Sequence, residues 1–206
     1  MCAIVGSFDK DKLKELVKLN TYRGNHSYSL SEYNPDTREI TILEKGLGDF
    51  NYSKVKELED GMYYIAHTQA PTTDAKSADS VHPSNYMNKF LWHNGIIKDY
   101  FVKVMQEKLD SNEYWDTALL NRWIKESKSL DEVDGTFSCL RYDSGLTLFR
   151  NEISPMFIDQ DWNLSSTKFD GAIPTPPGEV LFMNFDNRSL ETVKSFKTKE
   201  NPYFFG

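Results

Sequence analysis

Cysteine is scarce in this 206-residue chain. Only Cys2 and Cys139 occur, too few for a disulfide framework, so a reducing cytoplasm is the expected setting. No stretch approaches the roughly 18 consecutive apolar residues of a membrane-spanning helix, and no membrane partner is expected. The first residues also lack the basic stretch, apolar segment and small-residue cleavage pattern of a secretory signal. Positive charge is short as well: 24 Lys and Arg stand against 31 Asp and Glu, a net charge of −7. A sequence-nonspecific nucleic-acid binder shows the opposite balance, so nucleic acid is not an expected partner. There is no GxGxxG or P-loop pattern to hold a nucleotide cofactor. The four histidines, His26, His67, His82 and His93, lack zinc-ligand spacing, and neither metal nor cofactor is expected. What is present is a 39% hydrophobic, 14% aromatic, 27% charged chain, long enough for a real core and read as one domain over residues 1–206.

Residues 3–8 (AIVGSF) form an apolar run that predicts a buried strand. Residues 9–20 place Leu13, Leu16, Val17 and Leu19 roughly on one helical face, with Asp9 or Asp11 as N-cap. Strands are expected near 26–33 and 38–44, joined by an Asn-Pro-Asp-Thr turn, with a short helix at 52–59. Residues 62–67 and 89–93 read as aromatic strands, and the polar segment 68–88, with Pro71 and Pro83, as a functional loop or lid. Helices are expected at about 97–109 and 115–127. Strands follow at 135–142, 146–150, 156–159, 164–167 and 179–184. Many antiparallel strands with grouped helices indicate a layered α+β fold.

Two features bear on chemistry. If Met1 is removed, Cys2 places a thiol beside a free α-amine, whose reference pKa of roughly 7.7–8.0 suits it to deprotonate that thiol. Taken alone, Cys2 reads first as a small residue entering a strand. Asn94-Gly95, read as the junction of a strand and a helix, combines an amide side chain with a Gly backbone N–H. Such a pair can hold a tetrahedral oxyanion, with a helix dipole in support, although Asn-Gly alone is also a common turn. Cys139, between Phe137 and Leu140, reads as inert packing.

The order of motifs adds to this. MCAIVG at the start, YRGN (22–25), AHTQAPT (66–72), VHPSN (81–85), WHNGII (92–97) and WDTALL (115–120) follow one another. KGLGDFNYSKVKEL (45–58), DGTFSCLRYD (134–143), LFRNEISPMFID (148–159), SST (165–167) and PPGEV (176–180) extend the series. Together they resemble the class II glutamine amidotransferases, N-terminal nucleophile hydrolases. The resemblance is strongest to the glutaminase domain of glucosamine-6-phosphate synthase, with amidophosphoribosyltransferase and asparagine synthetase as relatives. It runs to about Phe185, leaving 186–206 as a tail. It implies a four-layer αββα sandwich of two antiparallel sheets between helical layers.

The resemblance also implies roles. Cys2 would attack the side-chain amide of glutamine, its α-amine carrying the proton, and the resulting thioester would be hydrolysed to glutamate, with ammonia released. Asn94 and Gly95 match the oxyanion pair, and Arg23 the support of the nucleophile. Asp116 matches the carboxylate that takes the substrate ammonium, and Thr72 and His82 match secondary pocket positions. Read without the resemblance, Arg23 fits a structural ion pair, Asp116 a helix N-cap or first-turn acid, and His82 a packed loop histidine. Where the family has Arg-Asp before a Pro-containing strand, this chain has Arg150-Asn151.

A larger departure is Gln69, which stands where the family places the Arg that grips the α-carboxylate. Weak glutamine binding, a cation from elsewhere such as Lys76, another amide substrate, and loss of catalysis all remain open there. With only about twenty residues after the matched region, a separate ammonia-accepting synthetase or transferase subunit is the implied partner. The alternatives are a catalytically impaired regulatory subunit of the same fold, or an N-terminal nucleophile hydrolase acting on another amide or γ-glutamyl compound.

Overall fold

The computed structural model describes residues 2–70 and 80–197. Met1, Thr72, Lys76 and the end of the tail lie outside the described residues, as do residues 71–79 of the expected lid. Contacts divide the chain into two units, Met1–Pro83 with Pro155–Thr175, and Ser84–Ser154 with Pro176–Gly206.

The first unit is built on a seven-stranded sheet. Its strands are β1 (Ala3–Ser7), β2 (Ser27–Tyr33), β3 (Ile40–Leu47), β4 (Tyr63–Gln69), β9 (Phe157–Ile158), β10 (Leu164–Ser165) and β11 (Ile173–Pro174), ordered β11-β9-β10-β1-β4-β2-β3. Every pairing is antiparallel. Helix α1 (Lys10–Leu19) starts at Asp9, whose Oδ1 accepts the N–H groups of Asp11 and Lys12, both at 2.8 Å. Leu13, Leu16 and Val17 of α1 pack with Val5, Leu30, Tyr64 and Ala66, which share one face of the sheet. Leu19, expected on that helical face, is exposed, because 100° per residue carries it about 120° from Leu13 and about 160° from Val17. The predicted helix at 52–59 is a single 3-10 turn, Lys54–Glu57.

The second unit carries a six-stranded sheet. It contains β5 (Ser84–Tyr86), β6 (Lys89–Ile97), β7 (Gly135–Tyr142), β8 (Leu146–Arg150), β12 (Glu179–Asn184) and β13 (Ser189–Ser195), ordered β13-β12-β8-β7-β6-β5 and antiparallel throughout. Helices α2 (Asp99–Leu109) and α3 (Asp116–Lys125) cover one face, where Phe101, Met105, Leu120 and Trp123 pack with Leu91, Phe137 and Cys139. Cys139 is fully buried, and that burial pushes its thiol well above the ordinary range, in keeping with inert packing.

Four strands differ from expectation, among them β11, which lies where no element was expected. β5 lies within the segment read as a loop, and pairs with β6 across Met87 and Asn88, both at positive φ. β13 lies in the segment read as a tail; its polar, exposed edge position gives it no apolar alternation to recognise. β6 runs on to Ile97, beyond the expected end at residue 93. No described helix is long and apolar enough to cross a membrane.

Candidate active site

The candidate residues fall into two groups, one on each unit. In the first unit, β1 pairs with β4 from Ser7–Tyr64 to Ala3–Thr68, and β4 pairs with β2 through Gln69–Ser27. One step beyond Ala3 sets Cys2 opposite Gln69, so Cys2, Gln69 and Ser27 form a row. They occupy the face opposite the one α1 covers, because strand side chains alternate. Cys2 is 4% exposed, and its Sγ lies 3.9 Å from the Ala70 carbonyl oxygen.

Buried Arg23 holds the backbone at this end: its Nε donates to the Cys2 carbonyl at 3.0 Å and Nη1 to the Tyr22 hydroxyl at 3.2 Å. The Tyr22 hydroxyl also meets Thr167 Oγ1 at 2.9 Å, and Thr167 Oγ1 donates to Asn20 Oδ1 at 2.7 Å. Hydrogen bonding to Thr167, with a further contribution from Arg23, lowers the Tyr22 phenol below its ordinary value. Gly24 explains the YRGN spacing. A Cβ there would fall 2.2 Å from the Ala70 nitrogen, so only glycine lets the turn Thr21–Arg23 close against the end of β4.

Gln69 is pinned through its side-chain oxygen. Ser27 Oγ donates to Oε1 at 3.1 Å, and His82 Nδ1 lies 3.1 Å from the same atom. The His82 ring stacks on His67 at 4.0 Å between centroids. Lys45 Nζ donates to the carbonyls of Val81 and Pro83, both at 2.7 Å, and so fixes the backbone on either side of His82.

The second group is built on β6. Asn94 projects from the sheet face opposite α2 and α3. It is 3% exposed, and its Nδ2 has no hydrogen-bond partner among the described residues. Gly95 lies opposite Phe137 of β7, and a Cβ on it would sit 1.9 Å from the Thr136 carbonyl oxygen. Phe137 gives both of its backbone groups to Asn151, its oxygen accepting from Asn151 N at 2.9 Å and its N–H donating to Oδ1 at 3.3 Å. Gly95 and Phe137 are therefore a non-hydrogen-bonded pair, and the Gly95 N–H is directed away from β7. On that side β5 pairs only with Lys89–Leu91 and ends short of Gly95.

Ile97 has the same phase, and its N–H donates off this strand edge to Asp116 Oδ2 at 3.2 Å. Asp116, in the first turn of α3, thus sits at the edge where the Gly95 N–H emerges, two residues or roughly 7 Å along the strand. Its Oδ1 accepts from Thr117 N at 2.7 Å. Buried His93 braces the corner, with Nδ1 3.1 Å from Thr117 Oγ1 and Nε2 3.3 Å from the Thr136 carbonyl.

One expectation is corrected here. Asn94-Gly95 is strand, not a strand–helix junction; α2 begins at Asp99 after Lys98 as N-cap. A helix dipole acts only within its first turn, so α2 is not the support expected for the oxyanion pair. The bracing residues Tyr22, Ser27, Thr117, Thr136 and Thr167 were not singled out from sequence. Tyr22, Thr117, Thr136 and Thr167 lie inside quoted motifs, but nothing in composition or periodicity marks a bracing hydroxyl.

An α+β fold with two antiparallel sheets, and these two groups on it, defines the class of structure for comparison. Solved structures share the fold. Glutamine phosphoribosylpyrophosphate (PRPP) amidotransferase from B. subtilis, complexed with ADP and GMP, matches with a TM-score of 0.70 at 17% identity over 93% of this chain. A structure described as the allosteric regulatory enzyme of purine biosynthesis matches with a TM-score of 0.68 at 18% identity, again over 93% of this chain. The chain spans about half of each, 48% of their length. No family model matches the sequence, and no curated protein matches it.

Proposed function

We propose that this protein hydrolyses the side-chain amide of glutamine through a thioester on Cys2, and passes the ammonia to a separate acceptor protein. The observation that carries the reading is the Asn94-Gly95 corner: a 3% exposed amide whose Nδ2 has no partner among the described residues, followed by a backbone N–H directed away from β7. Leaving a buried donor unpaired costs roughly 1–3 kcal/mol. A negative charge formed during reaction would recover that cost, which is how an oxyanion site favours the transition state over the ground state.

The proposed steps balance as follows. With Met1 removed, the Cys2 α-amine takes the thiol proton, and the thiolate attacks the amide carbon. The carbonyl electrons move onto oxygen, which Asn94 Nδ2 and the Gly95 N–H stabilise. As the intermediate collapses, the C–N bond breaks and the α-ammonium returns its proton to the departing nitrogen, releasing ammonia and leaving a γ-glutamyl thioester. Water, deprotonated by the same amine, then cleaves the thioester to glutamate and the Cys2 thiol. Asp116 would bind the substrate α-ammonium through Oδ2, which keeps acceptor capacity after the bond from Ile97, while Oδ1 takes both the N–H and the hydroxyl of Thr117. Arg23 acts on the nucleophile through the Cys2 carbonyl, as a positioning residue.

The test is glutamate release at millimolar glutamine by protein whose intact mass shows Met1 removed, with Cys2→Ala as control. Glutamate should form only with the cysteine present. Equal background rates in the two proteins would reject the reading.

A further inference from the structure

Asn94 is not alone on its face of the six-stranded sheet. Side chains alternate along a strand, so Trp92 and Asn94 of β6 stand on the face opposite α2 and α3, with Leu140 and Ser138 of β7 directly across from them. Trp92 and Ser138 are fully buried, and Trp92 Nε1 and Ser138 Oγ, like Asn94 Nδ2, have no hydrogen-bond partner among the described residues. Three buried polar atoms are thus left over around one rung of one strand pair. On the other side of Ser138 stands Arg150, whose Nη1 donates to the carbonyls of Asn151 and Glu152. Leu140 and Leu148 make the next rung apolar.

The register explains why the three atoms do not bond one another. Gly95 and Phe137 are a non-hydrogen-bonded pair, so Asn94 and Ser138 on the adjacent rung are a hydrogen-bonded pair, with Cα atoms about 5.5 Å apart. Trp92 lies diagonally from Ser138, a separation that an aromatic side chain can cross. A gap of this kind between polar atoms is the span one water bridges.

The chemistry of the three atoms selects the occupant. Asn Nδ2 and Trp Nε1 only donate, whereas a serine oxygen accepts. The occupant therefore accepts two hydrogen bonds and gives one. Water has the two lone pairs and the proton, and buried waters ordinarily make about three hydrogen bonds. Ammonia has one lone pair and a cation none, so neither fits. Being neutral, water also escapes the desolvation cost of a buried ion.

We propose that Trp92, Ser138 and Asn94 hold a buried water, and that Trp92 and Ser138 are thereby positioning residues for Asn94. The Asn94 nitrogen carries two N–H groups. With one given to the water on the β7 side, the amide plane is fixed and the other N–H turns away from β7, as the Gly95 N–H does. The effect on rate rests on the hydrolysis reading above; the water site does not.

The experiment has two arms, both on the full chain. In crystals grown without halide, one water should lie within hydrogen-bond distance of Trp92 Nε1, Ser138 Oγ and Asn94 Nδ2. The Trp92 indole N–H, assigned with Trp92→Phe, should show a cross-peak to water by NMR. In glutamate release, Ser138→Ala should lower kcat about tenfold, the worth of one hydrogen bond, with KM held within about twofold. In an Asn94→Ala background the same substitution should cost nothing further, because the group it positions is gone.

A dry site, or one filled only when chloride is supplied, would overturn the water. An occupied site with kcat unmoved by Ser138→Ala, or a loss that adds in full to that of Asn94→Ala, would overturn the positioning role. A wild-type protein that releases no glutamate would reject hydrolysis and with it the effect on rate; the density and the cross-peak then uphold or overturn the water site by themselves.

Discussion

The two units use the same plan to opposite ends. In each, helices cover one face of an antiparallel sheet, and a candidate group stands on the other face: Cys2 with Gln69 and Ser27 in the first unit, Asn94 in the second. Around Cys2 the polar groups are engaged. Arg23, Tyr22, Thr167 and Asn20 form a continuous chain of hydrogen bonds from the Cys2 carbonyl. At Asn94 the donor has no partner among the described residues, while His93, Thr117 and Asp116 brace the backbone beside it. On the proposed reading Cys2 is a nucleophile that has to be held in one place, and Asn94 a group that waits for a charge, so the supports of Cys2 gain by being satisfied. A group that waits for a charge has to be left unsatisfied until the charge forms.

This contrast is best broken by asking what each residue does for stability and what it does for rate. The largest effect is expected from Cys2→Ser, which should lower glutamate release by roughly 10⁴-fold or more while barely moving the melting temperature. Asn94→Ala should lower kcat by about 10²–10³-fold with little change in KM. Its melting temperature should hold or rise, because the buried unpaired amide is removed; a clear fall would show that Asn94 is a structural residue.

Gly24→Ala should do the reverse. It brings a Cβ to 2.2 Å from the Ala70 nitrogen and should cost about 1–3 kcal/mol in denaturant unfolding, rate being lost only as the Cys2 end shifts.

The smallest effect is expected from Tyr22→Phe. The lowered Tyr22 phenol means the folded state gives up that proton before the unfolded state does. Stability should therefore gain a little as pH rises towards the ordinary tyrosine range, and Tyr22→Phe should lack that gain. Identical pH–stability slopes for the two proteins would show that the Arg23–Tyr22–Thr167 chain has no energetic coupling to the fold.

Much of this was readable in advance where a local pattern was strong. Residues 135–142, 146–150 and 179–184 are strands with the bounds expected, because β-branched and aromatic residues there have buried positions to fill. The Asn34 turn and the Asp9 cap likewise announce themselves through short polar side chains that bond their own backbone. The extension of β6 through Asn94-Gly95 did not. Asn and Gly are weak strand formers, and what keeps them in the sheet is β7, whose Thr136 and Phe137 lie alongside. β13 was missed for the same reason, its polar residues being ordered by pairing with β12.

The setting of Gln69 shows the same division. Sequence marks it as a neutral side chain at a position of interest, but the direction of its amide depends on Ser27, 42 residues away, and His82, 13 residues away.

The amino-acid order by itself determined which segments bury apolar faces, where α1 begins, and which side chains are chemically able to attack an amide or hold an oxyanion. Only the tertiary structure decided that Cys2 stands across from Gln69, that the Gly95 N–H turns away from β7, and that Asn94 has a donor with no partner among the described residues. Those properties belong to pairings between distant strands. Sheet register is set by the sum of contacts along both partners, and no single segment contains that sum.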